Sequence, residues 1–350
     1  MIAYDINERG ELIGEAWEGP LGHQRSQGFV WRSGKMTLLS YPGSKWIDVA
    51  AINARGDVVG DATSAGGKSQ SSVLWRNGKS LALGTLGGKT SNAVALNEDA
   101  QVVGDSQTAD GKAHAFIWQN GTMSDLGTLG GDVAQVIGIN SRGQVIGTSS
   151  TADGMTHAFL WQSGRMTDLG SLPGLDSTPR AINDKGQIVG QTQTHPSGVP
   201  VDAVMWQNGK LVTLGRFGAD GAEAMAINNR GHVLVALTTR GGDTRAGVLL
   251  HAGRAMNIGT LGGPAPSGQG GPLALVGLND NDQVAGFGYT KSGRRRTFIW
   301  QNGHTTILPT FDGVQPPWGA PTALNNNAVL IGTSYVSHGG RNFQHVVVWR

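Results

Sequence analysis

The residues of this chain best suited to acid–base chemistry are ionisable side chains that lie outside any regular sequence pattern. They are Glu15, His23, Asp312 and His338. A carboxyl or imidazole group can serve as general acid or base in the cleavage of a glycosidic bond, and an arginine such as Arg25 or Arg341 can hold an acidic sugar. No two of these residues have the spacing of a catalytic motif. A polysaccharide lyase or glycoside hydrolase is therefore an alternative prediction, and binding without catalysis is the leading one.

An internal repeat determines which elements position these residues. The pattern Ile/Leu-Asn-x-x-Gly-x-Val-Val/Ile-Gly recurs at intervals of roughly 43 to 50 residues. Its eight anchors are Asn7, Asn53, Asn97, Asn140, Asn183, Asn228, Asn279 and Asn325. Such self-similarity is typical of propellers, solenoids and arrays, whose units bury their apolar faces only against their neighbours.

Each complete copy of the repeat contains four short apolar runs, here called strands A to D, which are bounded by Gly, Asn, Asp or Ser. The A–B link (Asn-x-x-Gly) and the C–D link (Trp-x-x-Gly) are nearly constant in length, which favours tight turns with a glycine at positive φ. We expect the repeated Asn to bond its own turn and the repeated Trp to pack in the core between units. Neither is predicted to bind a ligand.

These features predict an all-β protein with a single β-propeller domain, residues 1–350, of eight four-stranded blades with an incomplete last blade. The approximate repeats are 3–47, 48–91, 92–134, 135–178, 179–222, 223–271, 272–319 and 320–350. The eighth copy ends after strand C, so either a strand that precedes Met1 completes it or the last blade has three strands. A seven-bladed propeller and a β-solenoid are the alternatives.

Length variation between the copies falls in the B–C and D–A links, which an antiparallel meander places on one face, and function concentrates in such variable loops. Copies 7, 8 and 1 become neighbours in a closed ring, and they hold most of the irregular aromatic and basic residues. The candidate ligand-binding residues are Trp17, Trp46, Trp318, Tyr41, Tyr289, Tyr335, Arg25 and Arg341. We predict that they bind a carbohydrate or a protein. Two alternatives stay open: aromatic side chains that only seal the ring, and a purely structural surface protein.

Composition excludes several classes of function. The chain has no cysteine, and its net charge is +2 with scattered basic residues, which argues against thiol chemistry and nucleic-acid binding. No 18-residue apolar run is present, so no membrane span is predicted. Met1 directly precedes the first strand, so either a leader peptide has been removed or the protein stays inside the cell. We expect a monomer without a cofactor or metal; Ca²⁺ at the Asp110 or Asp153 turn stays open.

The sixth copy departs most from the repeat. Val235 replaces the repeat glycine, Leu250 replaces the tryptophan, and His251 follows it. Local repacking explains these changes, and no role is predicted for His251.

The repeat resembles the bacterial HAF extracellular repeats, which are named for a His-Ala-Phe tripeptide. That tripeptide occurs here as His114-Ala115-Phe116 and His157-Ala158-Phe159, between the Ile-Asn-x-x-Gly-x-Val-Val-Gly and Asp-Leu-Gly-Thr-Leu-Gly-Gly blocks. The resemblance covers essentially the whole chain. It implies a bacterial, exported protein in an extracellular or periplasmic location, and it implies no catalytic residues.

Overall fold

The computed structural model describes residues 1–18, 25–67, 69–195, 197, 199–239, 243–251, 253–264, 271–309, 320–338 and 341–350. These residues form strands and turns, and no helix occurs among them. The all-β prediction is confirmed. The chain divides into two compact halves, Met1–Asp168 and Leu169–Arg350.

The amino-terminal half contains repeats 1 to 4, and each repeat has four strands. Repeat 1 comprises β1 (Ile2–Ile6), β2 (Leu12–Glu18), β3 (Arg25–Arg32) and β4 (Lys35–Leu38). Repeat 2 comprises β5 (Ser44–Ile52), β6 (Val58–Ser64), β7 (Gln70–Arg76) and β8 (Lys79–Gly84). Repeat 3 comprises β9 (Gly87–Leu96), β10 (Val102–Thr108), β11 (Ala113–Gln119) and β12 (Thr122–Asp125). Repeat 4 comprises β13 (Gly130–Ile139), β14 (Val145–Thr151), β15 (Thr156–Gln162) and β16 (Arg165–Asp168).

The carboxy-terminal half contains repeats 5 to 8. Repeat 5 comprises β17 (Leu175–Ile182), β18 (Ile188–Thr194), β19 (Pro200–Gln207) and β20 (Lys210–Gly215). Repeat 6 comprises β21 (Gly221–Ile227), β22 (Val233–Thr238), β23 (Thr244–His251) and β24 (Arg254–Asn257). Repeat 7 comprises β25 (Leu273–Leu278), β26 (Val284–Tyr289), β27 (Arg295–Gln301) and β28 (His304–Ile307). Repeat 8 comprises β29 (Ala320–Leu324), β30 (Leu330–His338) and β31 (Arg341–Trp349).

Strands within a repeat pair antiparallel and in sequence order, as a meander predicts. Single parallel pairings, Gln70 with Thr90 and Ala113 with Val133, also join the third strand of one repeat to the first strand of the next. Repeats 2 to 4 are thereby linked by strand pairing into one twelve-stranded sheet.

A glycine in the second strand of each regular repeat allows the first strand to approach closely. A Cβ added at Gly104 would lie 2.0 Å from the carbonyl oxygen of Asn92 and 2.9 Å from the ring of Phe116. The pairing of β9 with β10 shifts register at this glycine. Repeat 6 has Val235 at this position, buried and paired with Ala224.

The repeated asparagines are structural, and they do more than bond their own turns. The Oδ1 atom of Asn53 accepts hydrogen bonds from the backbone N–H groups of Arg55 and Asp57, at 3.1 and 3.0 Å. Its Nδ2 donates to the carbonyl oxygen of Asn97, the equivalent residue of the next repeat, at 3.2 Å. The same bond links Asn7 to Asn53, Asn97 to Asn140, Asn183 to Asn228, Asn228 to Asn279 and Asn279 to Asn325. Within each half, successive repeats are therefore tied together by their asparagines.

The core lies between the faces of successive repeats. Val59 and Leu74 of repeat 2 pack with Val102, Phe116 and Trp118 of repeat 3 in one buried cluster. The third-strand tryptophans of several repeats are buried, as predicted for the core between units. Trp75, Trp118, Trp206 and Trp300 are 6, 7, 2 and 1 % exposed.

The sequence predicts long B–C loops in repeats 1 and 8, from Glu15 to Gln27 and from Thr333 to His345, whereas the flanking strands extend into both segments. In repeat 8 the second strand continues to His338 and the third begins at Arg341, so the segment is an extended hairpin. In repeat 1 the second strand ends at Glu18 and the third strand begins at Arg25. The segment from Thr333 to His338 contains Thr, Tyr and Val, residue types that favour strand over loop.

Candidate functional site

The structure describes some of the predicted site residues and not others. Residues outside the described ranges are His23, Asp312 and Trp318. Residues in described strands whose side chains are not described are Arg25, Tyr335, His338 and Arg341. Glu15 and the remaining four aromatic residues are described, and they lie in different surroundings.

The four described aromatic residues do not share one environment. Trp17 is 37 % exposed on β2, and Trp46 on β5 has the Lys45 Nζ atom 4.4 Å from its ring centroid. Tyr41 packs against the buried cluster of repeats 1 and 2. Tyr289 is 4 % exposed, so it belongs to the core of the carboxy-terminal half.

Glu15, the one described candidate acid, is hydrogen-bonded within a polar cluster of repeats 1 and 2. Ser26 Oγ on β3 donates to Glu15 Oε2 at 3.0 Å and lies 3.5 Å from Asp48 Oδ1 on β5. Burial raises the pKa of both carboxyl groups, and the charge of Asp48 adds to the rise at Glu15. The structure thus brings together two carboxyl groups that the sequence separates by a full strand pair.

Tyr4 on β1 lies beside this pair of acids. Burial raises the pKa of its phenol to about 12, and the neighbouring charge of Glu15 adds to that rise. The phenol therefore keeps its proton at neutral pH and can donate a hydrogen bond. Because Tyr4 is 37 % exposed, the cluster reaches the surface beside it.

Asp61 continues the cluster into β6. It pairs directly with Asp48 in the β5–β6 register and is 5 % exposed. Asp61 Oδ1 accepts hydrogen bonds from the Ala93 backbone N–H at 3.0 Å and from Ser72 Oγ at 3.3 Å. Burial nevertheless raises the pKa of Asp61 to about 7. Desolvation of the carboxylate outweighs these hydrogen bonds.

Asp105 on β10 repeats this arrangement one repeat further along the chain. Its Oδ1 accepts a hydrogen bond from the Val136 backbone N–H at 2.8 Å, and burial raises its pKa to about 6. Glu15, Asp61 and Asp105 all follow the repeat glycine directly. The other repeats have Thr148, Gln191, Ala236, Phe287 and Thr333 at this position.

The acids at this repeat position were a sequence signal that the sequence analysis missed, because it considered the residues singly and did not compare equivalent positions of the repeats. Three acids stand at one position in three consecutive copies, but the position lies inside strand B, where only packing was expected. We name Tyr4, Glu15, Asp48 and Asp61 the acidic cluster.

Among the described residues, the carboxyl groups of the acidic cluster form no ion pair with Lys, Arg or His. The ion pairs found in the described part of the chain involve other Asp and Glu residues. A positively charged group that entered the cluster would offset the unfavourable burial of these charges. The arrangement is therefore chemically suited to an ammonium or guanidinium group. No group of three or more His, Cys, Asp and Glu side chains that could hold a metal ion occurs in the described ranges.

Among the residues that the structure describes, four histidine–aspartate pairs lie outside the acidic cluster. They are His114–Asp125 (2.8 Å), His157–Asp168 (2.9 Å), His195–Asp176 (2.9 Å) and His232–Asp282 (2.5 Å). The first two join strands three and four of their repeats through the His-Ala-Phe histidines. Among the described residues, no serine hydroxyl is hydrogen-bonded to any of these histidines. A serine hydrolase triad needs such a hydroxyl beside the imidazole.

Comparison with known proteins defines the class of this fold. No protein-family model matches the chain, and no curated protein matches it. The β-propeller domain of the Trilobed protease from Pyrococcus furiosus is similar, with 12 % identity, a TM-score of 0.53 and coverage of 89 % of this chain and 97 % of that domain. The chain is a β-propeller protein.

Two whole peptidases contain a similar fold. A puromycin-hydrolysing peptidase of Mycobacterium tuberculosis matches with 11 % identity and a TM-score of 0.56, over 97 % of this chain and 59 % of that one. A prolyl endopeptidase matches with 12 % identity and a TM-score of 0.60, over 95 % of this chain and 54 % of that one. The chain thus spans little more than half the length of these peptidases.

These matches correct the predicted function. A propeller that recognises a carbohydrate or protein through the loops of repeats 7, 8 and 1 was the leading prediction, and a polysaccharide-degrading enzyme was its alternative. The similar propellers belong to peptidases, so the prediction of an extracellular recognition propeller was wrong. The physical reason lies in the assumption that irregular aromatic residues mark a ligand surface, whereas Tyr41 and Tyr289 pack into the core.

Membrane insertion through a helix has no support in the described part of the chain, where no helix is long and apolar enough to cross a bilayer.

Proposed function

We propose that this chain is the propeller of a peptidase and that it orients polypeptide substrates for a catalytic domain. The observation that carries this proposal is the likeness to the propeller domain of the Trilobed protease, which extends over nearly all of that domain. The peptidases that match over most of this chain support the same assignment. A propeller in this role binds extended polypeptide and leaves bond cleavage to its partner domain.

The acidic cluster is the surface we assign to polypeptide contact. Glu15 and Trp17 lie two residues apart on β2, and so do Asp48 and Trp46 on β5, so each acid shares a strand face with an aromatic ring. A carboxylate beside an aromatic ring suits an ammonium or guanidinium group, which gains from both the charge and the π face. The proposed ligand is therefore a polypeptide segment with an amino terminus, lysine or arginine.

The experiment that tests this function compares two peptides and a set of polysaccharides on the immobilised protein. The first peptide is unstructured and rich in lysine, and the second has the same sequence with its amino groups acetylated. Binding of the first peptide, loss of binding on acetylation and no retention of polysaccharides are the expected results. Retention of a polysaccharide without peptide binding would contradict the proposal.

Location, assembly state and family are proposed on the sequence alone. The order of the His-Ala-Phe and Asn-x-x-Gly blocks supports an exported, HAF-type repeat protein in a periplasmic or extracellular location. A monomer that binds no nucleic acid is proposed as well. Fractionation of the source cells and light scattering of the purified protein test these points, and a cytoplasmic or oligomeric protein would contradict them.

A further inference from the structure

A cross-strand pair of side chains recurs at the turn end of the repeats. It joins the residue four positions after the repeat asparagine to the residue that follows the third-strand tryptophan. The pairs in the amino-terminal half are Glu11–Arg32 (3.3 Å), Asp57–Arg76 (2.8 Å), Gln101–Gln119 (3.0 Å) and Gln144–Gln162 (3.0 Å). Repeat 6 has His232 and His251 at these positions, with the rings stacked 3.8 Å apart at an interplanar angle of 29°.

Asp282 of repeat 7 holds this histidine pair in place. Its Oδ1 atom lies 2.5 Å from His232 Nδ1 and accepts a hydrogen bond from Asn228 Nδ2 at 2.9 Å, while its Oδ2 pairs with Arg230 at 2.7 Å. Asp282 has a positive φ of 61° at a position where the other repeats have Gly or Ala. Such a backbone is unfavourable for a residue with a side chain. The three contacts offset that cost and fix His232 and Arg230.

A cavity of about 370 Å³ opens beside the histidine pair, between the turns of repeats 5 and 6. No Asp or Glu, including Asp282, is among its lining residues. The lining residues with nitrogen-bearing side chains are Lys185, Gln187, Gln207, Asn208, Arg230, His232 and His251. The lining therefore presents many donors and no carboxylate.

We propose that this cavity binds an oxyanion, either a carboxylate or a phosphate group. Lys185 Nζ donates to the Arg230 carbonyl oxygen at 3.2 Å, and its remaining two N–H donors are available to a ligand. Lys185 and Arg230 are the two basic residues of the lining, and Asp282, which pairs with Arg230 at 2.7 Å, lies outside it. Charge-assisted hydrogen bonds to an oxyanion are stronger than neutral ones. This site belongs to the carboxy-terminal half and does not depend on the proposed role in a peptidase.

Calorimetric titration of the full chain with inorganic phosphate and, separately, with tricarballylate tests the site. Saturable binding of at least one anion is expected, and the preferred anion identifies the source of the group as phosphorylated or carboxylic. Lys185→Gln should weaken that binding about tenfold, since it removes one charged donor. Lys210→Gln, an exposed lysine of the same repeat outside the cavity lining, should leave it unchanged.

A second variant separates binding from folding. His232→Gln with His251→Gln creates the glutamine pair that repeats 3 and 4 already contain, so it should fold and bind the anion several-fold more weakly because both imidazoles are lost. Three results would each overturn the proposal: no saturable binding of either anion, equal weakening by Lys185→Gln and Lys210→Gln, or unchanged affinity in the folded double variant.

Discussion

His232 and His251 stack in the sixth repeat at the two positions where the third repeat hydrogen bonds Gln101 to Gln119. The repeated backbone fixes the geometry of the two positions, and different pairs of side chains satisfy it. An acid with an arginine, two glutamines and two histidines all occur within one chain. The sixth repeat therefore changed its chemistry without changing its strands.

Exchange of this pair should preserve stability. We expect His232→Gln with His251→Gln to change the free energy of unfolding by no more than about 1 kcal/mol, because the new pair matches the glutamine pairs of repeats 3 and 4. Urea denaturation measures the change. A loss on the order of 3 kcal/mol would show that the histidine pair is required for folding of the sixth repeat.

The asparagine that links successive repeats should be far less replaceable. Asn53→Ala removes the bond to Asn97 and leaves the buried N–H group of Asp57 and the part-buried N–H group of Arg55 without their acceptor. We expect a loss on the order of 3 kcal/mol in the free energy of unfolding. Asn120→Gly, at an exposed turn with a φ of 53° that glycine tolerates, is the matched control and should cost little. Similar losses in both variants would argue against the inter-repeat bond.

The repeat glycine of the second strand is predicted to tolerate no side chain. In Gly104→Ala the new methyl group would meet the Asn92 carbonyl oxygen at 2.0 Å, so the first strand must move. We expect a loss of about 3 kcal/mol or more. Gly138→Ala places its methyl group where no atom lies within 4 Å, and thermal unfolding should show almost no change there. Equal melting temperatures of the two variants would refute the close-approach argument.

Asp61 should make stability depend on pH in the acid-to-neutral range. Burial raises its pKa from an ordinary 3.8 to about 7. A group whose pKa is raised in the folded state contributes its full stability below the unfolded value, and this contribution is lost as pH rises through the folded value. Relative to Asp61→Asn, the wild type should thus lose on the order of 4 kcal/mol between pH 4 and 8.

Denaturation of both proteins at several pH values measures this difference. Asp105→Asn provides a graded comparison, because the pKa of Asp105 is raised only to about 6. The pH-dependent difference in the free energy of unfolding between Asp105→Asn and the wild type should be smaller than for Asp61→Asn, and it should level off at a lower pH. Parallel pH profiles for the wild type and Asp61→Asn would show that Asp61 is not buried as a charged group.

Most of the fold could be predicted because the repeat presents the same short-range signals in every copy. The turn glycines, the alternation of the strands and the third-strand tryptophans depend on local geometry, which periodicity reveals directly. The extension of β30 to His338 was missed because it depends on pairing with β31. That pairing is not visible in the sequence of the segment. Bonds such as Asn53 to Asn97 were missed because they connect residues a whole repeat apart.

The candidate site was harder to predict than the fold. Reasoning from irregular loop residues included Glu15 but did not connect it with Asp61 and Asp105, which stand at regular strand positions. The contact that unites Glu15 with Asp48 passes through the hydroxyl of Ser26, and no spacing rule links these three residues. A comparison of the copies column by column would have shown the acids, although burial, which raises their pKa values, is visible only in three dimensions.

The affinity of the lysine-rich peptide for the wild type and for Glu15→Gln with Asp48→Asn tests the central claim most directly. Asp99→Asn, an exposed acid of a turn in the same half, is the matched control, and circular dichroism establishes that all three proteins fold. We predict that the double variant binds at least about tenfold more weakly, because two carboxylates that pair with the ligand's cationic groups are lost, while Asp99→Asn binds like the wild type. Equal affinity of the wild type and the folded double variant would contradict the assignment of the acidic cluster to polypeptide binding.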